Sequence, residues 1–295
     1  MDDMLSEQFD RLLMGLGPIE QTDAMDAGPQ SAAWRAIAES GFLDAVTAEE
    51  HGGAGVSFSE IFPLAVTLGR RLTPAPVIET MIARAILAQA GHEPPEGSIA
   101  LGDTGEAAAW RLRDLGGRLA LEPAAGGASI EFAWNGAPLR NLAAATLAAR
   151  MAGAVEVVLT MTIDYAFMRK QFGREIGKFQ AVQQQLAVMA EEVAAASAAA
   201  RLAFVDDFTA LPSGLAAAAK LRTGEAALLV ATTAHALHGA IGISKEHTLQ
   251  LFTRRLHRWR LAGGSGPYWG LLIGRERLAY TGGSVDFVRT LADVR

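Results

Sequence analysis

Apolar residues recur at three- and four-residue steps from Leu142 almost to Tyr280. Leu147, Met151, Val155, Val158 and Thr162 fall on one helical face, and Val182, Leu186, Met189 and Val193 repeat the pattern within residues 179 to 209. "LPSG" at 211 to 214 sets off a third helix, and "GAIGISKE" a fourth over 245 to 260. The intervening alanines keep the apolar period and permit close helix approach, so the pattern predicts an up-down four-helix bundle. Upstream, residues 1 to 16 and 30 to 41 read as amphipathic helices, the second stopped by Gly41. The glycine-rich turn "EEHGGAGVSFSE" follows, with Ser57 or Ser59 placed to cap a helix running to about Leu72. "TPAP" then breaks the chain before a helix from about Ile78 to Ala90. Between 91 and 139 the period shortens, and "SIALGD", "GRLALEP" and "SIEFAWNG" read as short strands joined by turns. The expected fold is mainly α: an N-terminal helical domain (1–95), a reduced β segment (96–139) and a C-terminal four-helix bundle (140–295).

Composition narrows the chemistry. The chain has 295 residues, half of them apolar, a formal charge of -6 and no cysteine. Disulfides, thiolate metal sites and cysteine nucleophiles are excluded. A net acidic chain is a poor nucleic-acid binder, because that affinity rests on phosphate neutralisation. The polar, acidic start "MDDMLSEQFD" lacks the basic and apolar regions of a signal peptide. No stretch reaches about 18 uninterrupted apolar residues, the usual length of a membrane span. A soluble cytoplasmic protein is the expectation.

One stretch does not fit a plain bundle. "YAFMRKQFGREIGKFQ", residues 165 to 180, interrupts two helices with Arg169, Lys170, Arg174 and Lys178, two glycines and Phe172. An ordinary turn with solvated charges accounts for it on periodicity alone. Its alternative is an anion site: Arg169 offers a two-pronged donor for phosphate, the glycines admit backbone to a ligand, and Phe172 can cover a planar ring. Two other features ask less. His235 and His238 lie three apart with no third ligand in view and read as core or interface histidines. "RRLHRWR" at 254 to 260 reads as a solvated or partner-facing helix side.

The 165–180 stretch, continued by "AVQQQLAVMAEE", resembles the signature of the acyl-CoA dehydrogenase family, Tyr-Ala-x-x-Arg-x-Gln-Phe-Gly followed by Phe-Gln. "GFLDAVTAEEHGGAGVSFSE" is similar to the family's N-terminal stretch, "LHGAIGISKEH" to its Gln-x-x-Gly-Gly-x-Gly-Tyr segment, and "FTRRLHRWRL" to the basic helix beyond it. Roughly residues 30 to 90 and 140 to 265 are covered. The resemblance implies FAD as cofactor, an acyl-CoA substrate, and electron-transfer flavoprotein as the electron acceptor. It also implies that the corner binds FAD across a dimer interface, its arginine on the pyrophosphate of a flavin held mainly by the neighbour. Arg169, Gln171, Phe172, Phe179 and Gln180 match that motif, and Gly239 keeps the first glycine of Gly-Gly.

The chain departs from the family where the chemistry lies. The family's reaction needs a carboxylate to remove an α-proton, a general base worth about 10²–10⁴-fold. Most members supply it as the Glu of Tyr-Glu-Gly-Thr, but the matching run here is "LAGGSGPYW" and Gly263 stands at that place. Others place it at the start of the first bundle helix, where Ala143 stands. The family's β-barrel is reduced to a faint echo, "LEPAAGGAS", and Ala236 and Ala240 replace the Gln and second Gly of Gln-x-x-Gly-Gly.

An intact arm and a missing base resemble the degenerate subunit of heteromeric α2β2 members, such as those of bacterial steroid side-chain breakdown. The expected function is therefore an FAD-sharing subunit, with an unlike dehydrogenase chain as partner and with no catalytic residue of its own. Two rival readings stay open. One is a self-sufficient homodimer with a displaced base, Glu156 or Glu276, and the other is a flavin-free interaction protein.

Overall fold

The computed structural model describes residues 2–17, 31–103 and 107–292. The first four helices are α1 (Asp2–Met14), α2 (Ala32–Glu39), α3 (Phe62–Arg70) and α4 (Val77–Gln89). Ser31 caps α2 by accepting from the Trp34 amide at 3.1 Å, and Gly41 follows in the left-handed region at φ 81. The helix expected over 30 to 41 is thus present, its first residue lying outside the described set. Ser57 and Ser59 do not cap α3. The Ser57 amide and hydroxyl donate to Glu60 at 2.9 and 2.8 Å, closing a separate turn, and Ser59 donates to Asp206 at 2.6 Å. α3 begins beyond that turn with Pro63 in its first positions, where the missing N–H loses no helical bond.

The β segment is one four-stranded sheet: β1 (Ile99–Leu101), β2 (Trp110–Asp114), β3 (Arg118–Pro123) and β4 (Ile130–Ala133), in that spatial order. β1 and β2 run parallel, and the other pairs are antiparallel. Three of the strands are the alternating pieces read in the sequence. The fourth, β2, was not read, because "WRLRD" buries only Leu112.

The bundle is α5 (Leu139–Met168), α6 (Gln180–Leu202), α7 (Ser213–His238) and α8 (Leu249–Trp259), extended by α9 (Gly266–Ala279) and α10 (Ser284–Ala292). A short hairpin, β5 (Lys170–Gln171) and β6 (Arg174–Glu175), separates α5 from α6. By length and composition α5 and α7 could each cross a bilayer. In α5 that apolarity has an internal use, since 83% of its most apolar window is buried. α7 packs against α5, α6, α8 and α9.

α5 is the axis of the molecule. It crosses α3 so closely that a Cβ on Gly69 would meet the Arg150 carbonyl at 1.9 Å, and one on Gly153 the Val66 carbonyl at 2.1 Å. Beside that crossing, Arg150 donates to the Thr73 carbonyl at 2.7 Å, lies 4.6 Å from the Trp259 ring centroid and approaches Glu79 at 3.6 Å. Both members of that ion pair are fully buried. Breaking such a pair by removing one partner costs about 3–5 kcal/mol, so it locks α4, α5 and α8 in register. Phe58 stacks on Phe204 at 4.2 Å, tying the glycine-rich turn to the end of α6. One apolar cluster runs from Phe9 through α3, α4 and the sheet into α5 and α7, so the bundle and the N-terminal helices share a core.

Candidate functional site

The residues singled out from sequence gather at the two ends of α5. Ala143 and Arg169 are 26 residues apart on that helix or its cap, about 40 Å at 1.5 Å per residue.

At the C-terminal end Arg169 leaves helical geometry, its amide closing on the Tyr165 carbonyl at 2.8 Å. The chain turns at Phe172 (φ 52) and Gly173 (φ 79), between paired Gln171 and Arg174. Two positive φ values in a two-residue loop form the hairpin turn whose twist matches the strands. Gly173 adopts this freely, whereas a phenylalanine there costs about 1–2 kcal/mol. Phe172 is also 92% exposed. A strained, solvent-facing aromatic is a functional signal, since packing does not hold it there.

Around that tip the charges are divided. Lys178 pairs with Glu175 at 2.6 Å, which holds the Glu175 carboxyl below its usual range. The Arg174 guanidinium lies 4.2 Å from the Phe179 ring centroid, and Phe172 meets the same ring edge-on at 6.2 Å. Arg169 takes part in no side-chain hydrogen bond or ion pair among the described residues. Gln171 and Gln180 are exposed beside it.

Gly239 joins the same end. The Tyr165 ring stacks on His238 at 4.3 Å and its hydroxyl donates to the His238 carbonyl at 3.2 Å, anchoring the end of α7 to α5. Gly239 then turns the chain at φ 64, ψ -142, which only glycine adopts without strain. His235 meets Thr253 at 2.9 Å and His238 the Ala234 carbonyl at 2.8 Å, so both work within the fold. Burial pushes both imidazoles below their ordinary pKa. Phe167, Met168 and Ile243, each more than half exposed, add apolar surface at this end.

At the N-terminal end Ala143 and Gly263 line one cleft of about 500 Å³, between the start of α5, the edge of β1 and β2, and the turn after α8. The two residues that the resemblance sets at the family's base positions thus lie on one cleft, and neither is a carboxylate. Gly263 and Gly264 have φ of 67 and 117, so the turn is shaped for glycine. Among the described residues the carboxylates on the lining are Asp103, 91% exposed and 3.4 Å from Arg111, and Asp114, which accepts from the Gly116 amide at 2.9 Å.

The two carboxylates of the displaced-base alternative, Glu156 and Glu276, sit on other parts of the fold. Glu156 is 13 residues beyond Ala143 on α5, about 20 Å away. It accepts from Arg70 at 2.7 Å and from Ser197 at 2.9 Å, an interhelical strut. Glu276 is half-buried at the junction of α9 with the start of α7, and burial raises its pKa. Neither lines the cleft.

Sequence reasoning missed Lys220. This buried side chain donates to the carbonyls of Trp259, Arg260 and Gly264 at 2.9, 3.1 and 3.4 Å. It caps α8 and fixes the turn that carries Gly263. Burial, with Arg260 nearby, pushes its pKa down to about 8. A lone lysine inside "LAAAAKL" was the available signal.

Comparison with known proteins bears on both ends. Residues 140–277 match the acyl-CoA dehydrogenase, C-terminal domain family. The chain is 30% identical over 277 residues to acyl-CoA dehydrogenase IpdE2 of Mycobacterium tuberculosis, covering 82% of this chain and 86% of that one. Against IpdE2 of Mycolicibacterium smegmatis it is 31% identical over 260 residues, covering 76% and 81%. The chain belongs to the acyl-CoA dehydrogenase family, flavoprotein oxidoreductases by class. In fold it resembles the Tcur3481-Tcur3483 steroid ACAD, with a TM-score of 0.78, 21% identity and coverage of 95% of this chain and 99% of that one. It also resembles the ChsE4-ChsE5 complex from Mycobacterium tuberculosis, with a TM-score of 0.69, 22% identity and coverage of 96% and 98%.

Proposed function

We propose that this chain is the FAD-sharing, base-less subunit of a heteromeric acyl-CoA dehydrogenase, its partner an unlike chain of the same family. The observation that carries the reading is the contrast along α5: a complete, projecting arm at one end and glycine and alanine at both base positions at the other. The relationship to IpdE2 and the fold likeness to a steroid ACAD and to the ChsE4-ChsE5 complex support a steroid-derived acyl-CoA as the substrate class. Electron-transfer flavoprotein is the corresponding electron acceptor.

The residues present fit one end of FAD. The free guanidinium of Arg169 suits a pyrophosphate, the turns at Gly173 and Gly239 bring backbone to a ligand without side-chain obstruction, and Phe172 offers an uncovered ring face. Held there, FAD would supply the hydride acceptor for oxidation of the acyl group. In this assembly the present chain binds and orients, with Arg169 holding the anionic end and Gln171 and Gln180 flanking it. Removal of the α-proton falls to the partner. The exposed alanines of α6, Ala194 and Ala198, with half-buried Ala195 and Ala199, let a second helix approach closely.

Co-expression with an unlike full-length acyl-CoA dehydrogenase chain from the same source, followed by size-exclusion chromatography with mass measurement and flavin assay, tests the reading. The expected result is a mixed complex that carries FAD and turns over acyl-CoA, while the isolated chain does not. Separate elution, with this chain a stable flavin-free homodimer, would overturn the proposal.

A further inference from the structure

Beside the arm, the end of α7 is held by a buried histidine with one ring nitrogen unsatisfied. His238 is 3% exposed. Its Nδ1 lies 2.8 Å from the Ala234 carbonyl, which can only accept, so the hydrogen of the neutral ring sits on Nδ1. Nε2 is then a bare acceptor, and it is buried with no hydrogen-bond partner among the described residues. The ring is clamped on three sides. The Tyr165 ring of α5 stacks on it at 4.3 Å and 21°, and the His247 ring, from the turn before α8, meets it edge-on at 4.9 Å and 71°. Gly242 closes the third side: a Cβ there would come within 2.9 Å of the His238 Cβ and 3.3 Å of His235 Nδ1. The short helical segment Gly239–Ile243 therefore seats directly on the two histidines.

That packing accepts a neutral ring and rejects a charged one. A second proton would make Nε2 a donor with no acceptor, and a buried donor left unmet loses its hydration for nothing. The titratable groups around the ring give no relief. Tyr165 faces it from α5, His247 from the turn and His235 from α7 itself, while His257 of α8 acts on His235. Asp164, beside Tyr165 in the chain, and Lys245 and Glu246, beside His247, are exposed. A cation stacked on the Tyr165 ring is favoured by the ring's quadrupole. Burial, and then the neighbouring imidazoles of His247 and His235, nevertheless hold the His238 pKa below its ordinary value. A ring turned out to solvent takes its proton at the ordinary histidine pKa, about 6.5. The closed packing is therefore fully stable above that pH and loses stability as the pH falls through it.

We propose that neutral His238 is the positioning residue that latches the Gly239–Ile243 segment against α5, and that its protonation frees the segment, so that the arm's end of the chain releases flavin in mild acid. The consequence for flavin rests on the shared-cofactor reading, because Gly239 lies at that end. The latch itself is a property of this chain and stands without a cofactor.

Hydrogen exchange of the full chain, with no flavin added, tests the latch first. Between about pH 7.5 and 5.5, after correction for intrinsic exchange rates, protection of the 240–244 amides should fall about five- to tenfold, the change that one proton on His238 can give. His238→Phe keeps a flat ring against Tyr165 and cannot take a proton, so its protection should hold over the same range. Imidazole NMR of the wild type, which needs no variant to fold, should give a His238 midpoint below about 6.5. In the mixed complex, flavin retention should fall by a similar factor across that interval in wild type and stay level in His238→Phe. The latch is overturned by unchanged protection in acid, by an ordinary His238 midpoint, or by an equal loss of protection in His238→Phe. Protection lost in acid with flavin retention unchanged overturns its hold on the cofactor. A mixed complex that carries no flavin would instead count against the shared-cofactor reading, and exchange and NMR would still decide the latch.

Discussion

The two ends of α5 have been built to opposite specifications. At its C-terminal end the chain spends backbone strain on Phe172, leaves Arg169 without a side-chain partner among the described residues and exposes an aromatic ring almost fully. At its N-terminal end every strained position is a glycine, Ala143 is buried, and a lysine with three carbonyl acceptors holds the turn still. The first end turns charge and an aromatic ring toward solvent, and the second is bonded within the fold. The comparison teaches that one helix can join an end whose strain the fold does not use to an end where each strained turn is glycine and the polar groups find internal partners.

The sharpest test of the finished end is its dependence on Lys220. The folded pKa, about 8, lies below the ordinary lysine value. Between about pH 8 and 10.5 the unfolded chain therefore binds more protons than the folded one, and stability rises with pH across that window. Below it the full burden of burying the ammonium is present. The size is about 3 kcal/mol for a shift of this order. Denaturant melts of wild type and Lys220→Met, compared from pH 7 to 10, should show that extra rise only in wild type. Parallel pH profiles would mean that the three carbonyl bonds offset the burial of the ammonium and that its pKa is not depressed.

At the open end the corresponding test is Arg169→Ala. Losing a charge-assisted contact to a phosphate removes about 1.5–3 kcal/mol, so flavin retention in the purified complex should fall by tenfold or more. Helical content should not change, because the exposed Arg169 side chain has no hydrogen-bond or ion-pair partner among the described residues. Equal flavin content in the variant would make the arm an ordinary solvated turn and erase the difference between the two ends.

How much of this was visible in the sequence differs between the ends for physical reasons. The arm is local: its residues are nearly contiguous, and a turn with positive φ, a basic cluster and two glycines leave marks within sixteen letters. The helices were equally legible, because period alone reports a buried face. The cleft is not local. Ala143, Gly263 and Asp114 come from three separate elements, and only α5, β2 and the turn after α8 packing together make them neighbours. Glu156 illustrates the limit. Its place among valines already reads better as a helix charge than as a base, and Arg70, 86 residues away in the chain, supplies the partner that makes it a strut. β2 and the role of Ser59 were obscured similarly, by strand pairing and by a hydrogen bond to Asp206, while Ser57 is taken by the nearby Glu60 in a turn of its own.

Gly263→Glu asks whether the finished end is merely a base short of activity. A side chain at φ 67 costs about 1–2 kcal/mol, and a Cβ there would sit 3.5 Å from Leu147. The variant should melt a few degrees lower, and the isolated chain with added FAD should still fail to oxidise acyl-CoA substrates. Turnover gained by this single change would show that the cleft had kept a working geometry, and the division between the ends would shrink to one residue.

The smallest effect is the most discriminating for the open end. Phe172→Gly relieves a left-handed phenylalanine worth about 1–2 kcal/mol, while glycine returns part of this, about 0.5–1 kcal/mol, through the freedom of the unfolded chain. Almost no packing is lost, because the ring is 92% exposed and touches Phe179 only edge-on. The net expectation is a chain about 0.5 kcal/mol more stable to denaturant when studied alone. In the complex the same change should lower flavin retention, because the ring face is what the strain holds outward. A protein that gains stability and loses function at one position is under selection there for something other than folding. If Phe172→Gly instead destabilises the isolated chain, the tip is supported by contacts within the fold and the case for strain held ready for a partner is lost.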